Sequence, residues 1–208
     1  MNDNKIKILI ADDHALMRMG LRALLDTQRD IEVLGEATDG ADALRKTARL
    51  KPDIVIMDIM MPGTDGIAAT QQMSERHPDV RILVLTTSTS SDDLSRALKA
   101  GAAGAILKSE ANAKLLAAIR AIARGEQSVS PEVSAMIAKD PPADELSPRQ
   151  REILIALSRG LTNKEIATSL DCSPESVKDR INAICTKLGA SNRTEAVTIA
   201  LRKHLLKI

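Results

Sequence analysis

The segment DIVIMD, residues 53–58, places four consecutive apolar residues directly before an acidic one. Similar short apolar runs recur through residues 5–125, and segments with helical periodicity separate them. Apolar strands that alternate with helices are typical of a parallel sheet with helices on both faces, because such strands are buried on both sides. This part of the chain is therefore predicted to form an α/β doubly wound, five-stranded parallel sheet.

The apolar runs and the helical periodicity predict the positions of five strands and five helices. The strands are expected near Lys5–Ala11, Glu32–Ala37, Ile54–Asp58, Arg81–Thr86 and Gly104–Leu107. The helices are expected near Leu16–Asp26, Ala41–Leu50, Gly66–Arg76, Asp92–Ala100 and Ala113–Arg124. Residues that can cap a helix precede three of them: Asp39, Ser91 and Asn112.

Acid, hydroxyl and amine side chains stand at the ends of four of these strands. They are Asp12 and Asp13 after the first strand, then Asp58, Thr86 and Lys108. The carboxyl ends of parallel strands meet in one crevice, so these side chains are expected to lie together. Three carboxylates in one crevice need counter-charge, which a divalent cation and a lysine supply. A carboxylate beside Mg²⁺, with an amine and a hydroxyl nearby, can accept a phosphoryl group, and the sequence predicts this chemistry.

Each of these residues also has a simpler explanation when it is taken alone. Asp12 and Asp13 could cap the helix that follows them, and Lys108 could extend to solvent. Asp58 fits such an explanation poorly, because a lone carboxylate at the end of a buried strand costs free energy. The recurrence of such residues at four strand ends favours a shared site.

Composition excludes several other classes of protein. No apolar run approaches the length of a membrane span and residues 1–13 lack the pattern of a secretory signal, so we expect a cytoplasmic protein without a membrane partner. Cys172 and Cys185 have no His pair nearby and are expected to be reduced thiols rather than zinc ligands. The chain has no Phe, Tyr or Trp, which argues against single-strand recognition by base stacking.

A proline-containing connector is predicted between two domains. Residues 126–144 include Ser130-Pro131, which can start a short helix, and Pro141-Pro142, which stops it. We therefore expect a phosphoacceptor domain over residues 1–125, this linker over 126–144 and a separate domain over 145–208. The last segment holds 11 basic against 7 acidic residues, a modest excess that is compatible with DNA binding.

Residues 145–208 are predicted to form four helices, over about 148–159, 163–170, 174–188 and 193–205. Capping boxes at Ser147 and Thr162 open the first two, Ser173-Pro174 opens the third and Asn192 opens the fourth. The second and third helices, joined by a tight turn, form a helix-turn-helix, whose longer helix can enter a major groove. Apolar residues at helical spacing are expected to form the core: Ile153, Leu154, Leu157, Ile166, Leu170, Val177, Ile181, Ile184 and Leu188.

The chain resembles a known family along its full length. ILIADDH, DIVIMDIMMPGTDG, RILVLTTSTSSDD and AGAAGAILK resemble the motifs of a two-component receiver domain, whose fold is flavodoxin-like. The segment from LSPRQREIL to NRTEAV resembles the LuxR-type helix-turn-helix module. In order and spacing the whole chain is similar to a response regulator of the NarL/FixJ subclass.

The resemblance implies that a sensor histidine kinase transfers a phosphoryl group to Asp58. It implies Mg²⁺ as the cofactor, held by Asp13, Asp58 and the carbonyl of Met60. Asp12 is expected to act through a metal-bound water. No separate catalytic apparatus is expected, since there is no Gly-rich nucleotide loop and Met60 stands where aspartyl-phosphate hydrolases carry a second Asp.

The resemblance also assigns the switch residues and reveals one departure. Thr86 is the expected switch hydroxyl, Lys108 is the expected phosphate-pairing amine, and Gly66 is expected to permit the turn after the phosphoacceptor. Ala105 stands where such receivers carry Tyr or Phe, three residues before the lysine. That ring changes rotamer when the switch hydroxyl moves. Without it, either Leu or Met takes its place or the coupling to the output is weak, and the sequence leaves both open.

DNA contacts are expected on and beside the second helix of the helix-turn-helix. Lys178 and Asn182 lie four residues apart on one face and can bond guanine and adenine edges. Asp179 is unusual there, because an acid repels phosphates unless it accepts from cytosine N4 or pairs with Arg180. Contacts with the DNA backbone are expected from Asn163, Ser176 and Lys187. A solvated charged turn at residues 178–180 is the alternative.

Taken together, the motifs predict a DNA-binding transcriptional regulator that aspartyl phosphorylation switches. An active homodimer is expected to bind double-stranded DNA at an inverted repeat with half-sites about one helical turn apart. The apolar last helix is expected to pair the two output domains. The alternative is a receiver-containing interaction protein whose helix-turn-helix binds a protein partner. The unusual acid at position 179 is the reason to consider it.

Overall fold

The computed structural model describes residues 5–61, 66–87, 90–110, 112–139, 146–203 and 205–206. The chain divides into two compact units, Met1–Asp140 and Pro141–Ile208. The first unit contains a sheet with helices on both faces, and the described part of the second is helical.

The first unit is built on a parallel sheet with the strand order β2-β1-β3-β4-β5-β6. The strands are β1 (Ile6–Ala11), β2 (Ile31–Ala37), β3 (Ile54–Met57), β4 (Arg81–Thr86), β5 (Gly104–Leu107) and β6 (Ser128–Val129). Because β2 lies on one side of β1 and β3 on the other, the chain changes direction between β1 and β3. In doubly wound sheets a ligand crevice opens at this point, beyond the carboxyl ends of the strands.

Helices cover both faces of the sheet. They are α1 (Ala15–Asp26), α2 (Gly40–Leu50), α3 (Gly66–Arg76), α4 (Ser91–Lys99), α5 (Asn112–Ala123) and α6 (Pro131–Lys139). Alternate residues of β1 point to opposite faces: Ile8 and Ile10 pack with α1 and α5, whereas Leu9 and Ala11 pack with α2 and α3. All four residues of β3 are buried, which explains the continuous apolar run in IVIM.

The sheet has a sixth strand, so the expectation of five strands needs correction. The five predicted strands are present, each within one residue of its predicted bounds. Strand β6 pairs with β5 and places Ser128 opposite Gly104 and Val129 opposite Ala105. A Cβ on Gly104 would lie 2.3 Å from the carbonyl oxygen of Ser128, so this pairing requires glycine. A two-residue strand is too short to show an apolar alternation, and for this reason the sequence pattern did not predict it.

Helix α6 is the short helix that was predicted after Ser130, and it packs on α4 and β5 within the first unit. The hydroxyl of Ser130 accepts a hydrogen bond from the Val133 amide at 3.3 Å and so caps the helix. Val133 is fully buried in an apolar cluster with Leu94 of α4 and Ala105 of β5. The predicted stop at residues 141–142 lies outside the described residues.

Two of the three predicted caps in the first unit need correction. Asp39 caps α2 as predicted, since its carboxylate accepts from the Asp42 amide at 2.8 Å. The cap of α4 is Ser90 and not Ser91, because the Ser90 hydroxyl accepts from the amide of Asp93 and Ser91 is already helical. Two adjacent serines offer the same acceptor, so the sequence could not separate them. Asn112 is the first residue of α5, and residue 111 before it is not described.

The second unit holds the four predicted helices, α7 (Pro148–Ser158), α8 (Asn163–Ser169), α9 (Pro174–Leu188) and α10 (Arg193–Arg202). Both predicted capping boxes are formed, by Ser147 with Gln150 and by Thr162 with Glu165. Gly189 ends α9 in the left-handed conformation, with φ 65°.

The core of the second unit is the predicted apolar set. Its buried members are Ile153, Leu154, Leu157, Ile166, Val177, Ile181, Ile184 and Leu188, and Leu170 is half-buried against them. Ala196 and Ala200 of α10 complete this core. Within the described parts of both units, none of the helices has the length and apolar character that crossing a membrane requires.

Candidate functional site

Two buried carboxylates meet at the carboxyl ends of β1 and β3. The Asp12 amide donates to the carbonyl of Ala37 at 3.2 Å, and the Asp58 amide donates to the carbonyl of Ala11 at 2.8 Å. The hydrogen-bond ladder of the sheet therefore continues one residue beyond each strand and holds the two acidic residues side by side. Asp12 and Asp58 are each only 2% exposed.

Lys108 neutralises part of this negative charge. Its ammonium Nζ lies 2.6 Å from Asp58 Oδ2 and 2.5 Å from Asp12 Oδ2, and its side chain is 5% exposed. Burial alone lowers the pKa of this ammonium, but its hydrogen bonds to the two carboxylates outweigh burial and raise the pKa above its ordinary value. Lys108 is therefore a fixed positive charge at neutral pH.

Asp13 adds a third carboxylate to the same place. We call Asp12, Asp13, Asp58 and Lys108 together the acidic crevice. One oxygen of each carboxylate and a ring nitrogen of His14 lie within 4.8 Å of one another. Asp13 Oδ1 is buried and accepts no hydrogen bond from the described residues. His14 Nδ1 approaches it to 2.7 Å, a contact that becomes an ion pair only when the imidazole is protonated.

The remaining predicted residues of this site take different positions. Thr86, at the end of β4, is fully buried, and its carbonyl accepts from the Lys108 amide at 2.9 Å. The Met60 amide donates to Asp58 Oδ1 at 3.0 Å, while Met60 as a residue is 47% exposed. The structure thus brings Asp12, Asp13, Asp58 and Lys108 together. Met60 and Thr86 are connected to this group by hydrogen bonds of their main-chain atoms.

Gly66 serves this site by close packing. A Cβ on Gly66 would lie 2.0 Å from the carbonyl oxygen of Asp58, and the Gly66 amide donates to the carbonyl of Ile59 at 3.1 Å. Gly66 is not among the residues with positive φ, so the predicted reason, a turn that needs glycine, is corrected to close approach of two backbone segments. Pro62, which belongs to the receiver-like motif DIVIMDIMMPGTDG, lies outside the described residues.

Two residues near the crevice were missed by the sequence argument. His14 follows the acidic pair, but a side chain that is 70% exposed gives no apolar or periodic signal. Glu110 accepts from the Leu107 amide at 3.0 Å and from the Ser130 hydroxyl at 2.7 Å. Glu110 thereby joins the loop that carries Lys108 to the start of α6, a link over twenty residues that local sequence patterns do not encode.

Ala105 lies in the middle of the face that α6 covers. It is fully buried, pairs with Val84 of β4 and Val129 of β6, and shares its apolar cluster with Val133. Partly buried side chains from α4 and α6 pack on the same cluster, including Leu98 and Met136. Aliphatic residues therefore fill the region around the position where receivers usually carry an aromatic ring.

Helix α9 separates its residues into a buried and an exposed face. Val177, Ile181, Ile184 and Leu188 face the core. The opposite side, which we call the outward face of α9, is exposed and consists of Glu175, Lys178, Asp179, Asn182, Ala183 and Thr186. Three predicted DNA contacts, Lys178, Asp179 and Asn182, therefore share one exposed surface.

The three residues that are predicted to contact the DNA backbone flank this surface. Ser176 and Lys187 are half-buried at the sides of α9, and Asn163 is half-buried at the first position of α8. The Asn163 side-chain oxygen accepts from Arg193 Nη1 at 3.4 Å, and Arg193 Nη2 donates to the carbonyl of Leu161 at 2.7 Å. Arg193 was not singled out from the sequence, because an arginine in the first turn of a helix shows no distinctive spacing.

Comparison with known proteins agrees with both halves of this architecture. The family model of the response regulator receiver domain matches residues 8–120, and that of bacterial regulatory proteins of the luxR family matches residues 144–200. The chain belongs to the response regulators. This response regulator is 39% identical over 209 residues to the transcriptional regulatory protein LiaR of Bacillus subtilis (strain 168), with 97% of the chain and 99% of LiaR covered. It is 36% identical over 207 residues to the response regulator protein VraR of Staphylococcus aureus, with the same coverage.

Solved structures of response regulators are similar over nearly the whole chain. ChrA, from a heme-sensing two-component system, has 37% identity and a TM-score of 0.59, and 98% of this chain and 100% of ChrA are covered. RcsB of Salmonella enterica serovar Typhimurium, bound to a promoter in the presence of the phosphomimetic BeF3⁻, has 28% identity and a TM-score of 0.73, with 96% and 99% covered. The flavodoxin-like receiver fold and the helical second domain are thus those of the family.

Proposed function

We propose that this response regulator is a cytoplasmic, phosphorylation-switched DNA-binding regulator of transcription, and that Asp58 accepts the phosphoryl group from a sensor histidine kinase. The observation that carries the proposal is the placement of the Asp58 carboxylate 2.6 Å from the Lys108 ammonium and within 4.8 Å of the Asp12 and Asp13 carboxylates. In the transfer, the P–N bond of the donor phosphohistidine breaks and a P–O bond to an Asp58 oxygen forms.

The donor atoms of the crevice fit Mg²⁺. Three carboxylates supply the oxygen ligands that this hard cation prefers, and Asp13 Oδ1 is buried without a hydrogen bond from the described residues. Asp13, Asp58 and the Met60 carbonyl would hold the ion, and Asp12 would act through a bound water. When bound, the ion offsets negative charge on the phosphoryl oxygens.

The chain's own residues supply the rest of the switch. Lys108 already contacts Asp58 Oδ2, so it is placed to pair with an oxygen of a phosphoryl group attached there. The Thr86 hydroxyl is proposed to donate to another phosphoryl oxygen. Such contacts bias a two-state receiver, and the output domain responds to that bias. Met60 supplies no general acid at the second position after Asp58, so we propose no turnover of an external substrate.

The second domain is proposed to bind double-stranded DNA as a homodimer. The outward face of α9 would enter the major groove with Lys178, Asp179 and Asn182, while Asn163, Ser176 and Lys187 would contact the DNA backbone. Relatives support this proposal: RcsB is known as dimers bound to DNA and as a complex with DNA. We propose a domain boundary within residues 126–144, between limits of 1–125 and 145–208, and since β6 and α6 of this segment belong to the first compact unit, Met1–Asp140, we propose that the linker is the end of the segment.

Phosphorylation of the full-length chain by a small acyl phosphate with Mg²⁺ tests the assignment of Asp58. The wild type is expected to gain one phosphoryl group per chain by intact-mass measurement, and the D58N variant is expected to gain none. D26N is the matched control, because Asp26 is an exposed acid at the end of α1. Full incorporation into D58N would show that another residue is the acceptor.

A further inference from the structure

The position of Asp179 on α9 determines what it can contact in a groove. At about 100° per residue, Asp179 lies almost directly opposite the midpoint of the buried face formed by Val177, Ile181, Ile184 and Leu188. It also lies in the first half of this 15-residue helix, and the N-terminal residues of a recognition helix are those that contact base edges. In an α9 helix docked in a major groove, Asp179 would therefore face base edges and not the phosphates beside the groove.

Within the described part of the chain, no basic side chain neutralises the Asp179 carboxylate. It is exposed, and the described residues include no ion pair or hydrogen bond between it and Arg180. Arg180 lies about 100° further around the helix and is half-buried. Lys178, on the other side, is 3.7 Å from Glu175. An acid is tolerated in a groove if it pairs with a neighbouring base such as Arg180 or accepts a hydrogen bond from a DNA base. Since Arg180 does not pair with Asp179, the hydrogen bond from a DNA base is the explanation that is left.

We propose that Asp179 is a specificity-determining residue that selects cytosine at one position of each half-site. An ionised carboxylate is only an acceptor. In the major groove, guanine presents two acceptors and thymine one, so both repel it, whereas cytosine presents the N4 amino donor. Adenine presents a donor beside the acceptor N7, which repels the second carboxylate oxygen. This inference rests on the proposed function, since it requires that α9 enters DNA.

Selection of binding sites from random duplex DNA tests the inference, with the full-length chain, BeF3⁻ and Mg²⁺ in every arm. The wild type is expected to enrich an inverted repeat with cytosine at one fixed position, preferred over the other bases by about fivefold to 150-fold. D179N is expected to move the preference at that position to adenine, because an amide bonds adenine N6 and N7 bidentately. D179A is expected to lose the preference at that position alone.

D171N is the matched control for the loss of one negative charge. Asp171 is exposed in the turn before α9 with φ 48°, a conformation that Asn also adopts, so its removal changes the net charge but not the outward face. D171N is expected to select the wild-type motif. If D179N and D179A also select the wild-type motif, the inference about Asp179 is overturned while DNA binding stands. If the wild type enriches no sequence, the proposed DNA-binding function fails, and the inference fails with it.

Discussion

The acidic crevice and the outward face of α9 carry similar residue types and use them in opposite ways. In the crevice, Lys108 is almost fully buried and lies within 2.6 Å of two carboxylates. On α9, Lys178 and Glu175 are largely exposed and lie 3.7 Å apart. Buried charges must be paired with each other or with a ligand, whereas exposed ones cost little and stay available to a partner. A buried charge thus indicates a site because burying it costs free energy. An exposed charge costs little, so it indicates a site only when its position on the helix suits contact with a partner.

The largest expected effect on stability comes from removing the crevice cation. K108A leaves Asp12 and Asp58 buried without their counter-charge, which is expected to cost about 3–5 kcal/mol of the free energy of unfolding in the absence of divalent cations. Mg²⁺ is expected to restore much of this loss. The measurement is urea unfolding of the first unit in the full-length chain, with and without Mg²⁺. K99A, at an exposed lysine in α4, is the control, and equal unfolding of both variants would contradict the paired crevice.

The next effect concerns α6, which lies between these two regions in the sequence. V133A removes buried methyl groups of α6 from the cluster that contains Ala105, and it is expected to cost about 2 kcal/mol in the same unfolding transition. M19A is the control, because the Met19 side chain is 65% exposed. No loss of stability in V133A would mean that α6 does not pack on α4 and β5 in solution.

Replacing an exposed lysine on α9 is expected to weaken DNA binding without changing stability. K178A is expected to weaken binding to a selected duplex by about tenfold, because Lys178 can bond a guanine edge, and to leave the unfolding midpoint unchanged. Titration of a labelled duplex measures the first effect and urea unfolding the second, with K99A again as control. A large loss of stability in K178A, with DNA binding intact, would contradict the assignment of Lys178 as an exposed lysine that is available to DNA.

The smallest effect is that of a partly exposed ion pair near the crevice. A hydrogen bond from Arg22 holds the pKa of the Glu36 carboxyl below its ordinary value of 4.5, with partial burial opposing and Arg18 adding to the effect. A lowered carboxyl pKa stabilises the fold above pH 4.5, and the contribution is lost as the pH falls through the lowered value. E36Q is therefore expected to cost about 0.5 kcal/mol at neutral pH and nothing in acid. E32Q is the control, and a cost that persists in acid would contradict this cause.

The same contrast explains how much could be predicted from the sequence. The strands could be predicted because burial on both faces requires unbroken apolar runs such as IVIM. The polar residues of the crevice could be predicted because each follows such a run directly. The helix starts of the second unit could be predicted from capping boxes, in which both partners lie within four residues of each other.

What could not be predicted depends on contacts between distant segments. Strand β6 is defined by its pairing with Gly104 and not by its own two residues. The link from Glu110 to Ser130 joins two loops, and the need for Gly66 arises where its backbone meets that of Asp58. On α9, the periodicity places Asp179 at the surface, but whether Arg180 pairs with it depends on side-chain positions that the sequence does not determine.

Control of DNA binding by Asp58 is tested most directly by the affinity of the full-length chain for a selected duplex with and without BeF3⁻ and Mg²⁺, in the wild type and in D58N. We expect the phosphomimetic to raise the affinity of the wild type by about tenfold or more and to leave that of D58N unchanged. Equal affinity of the wild type in both conditions would contradict this expectation, and would show that a receiver with Ala105 among aliphatic residues does not control its output domain.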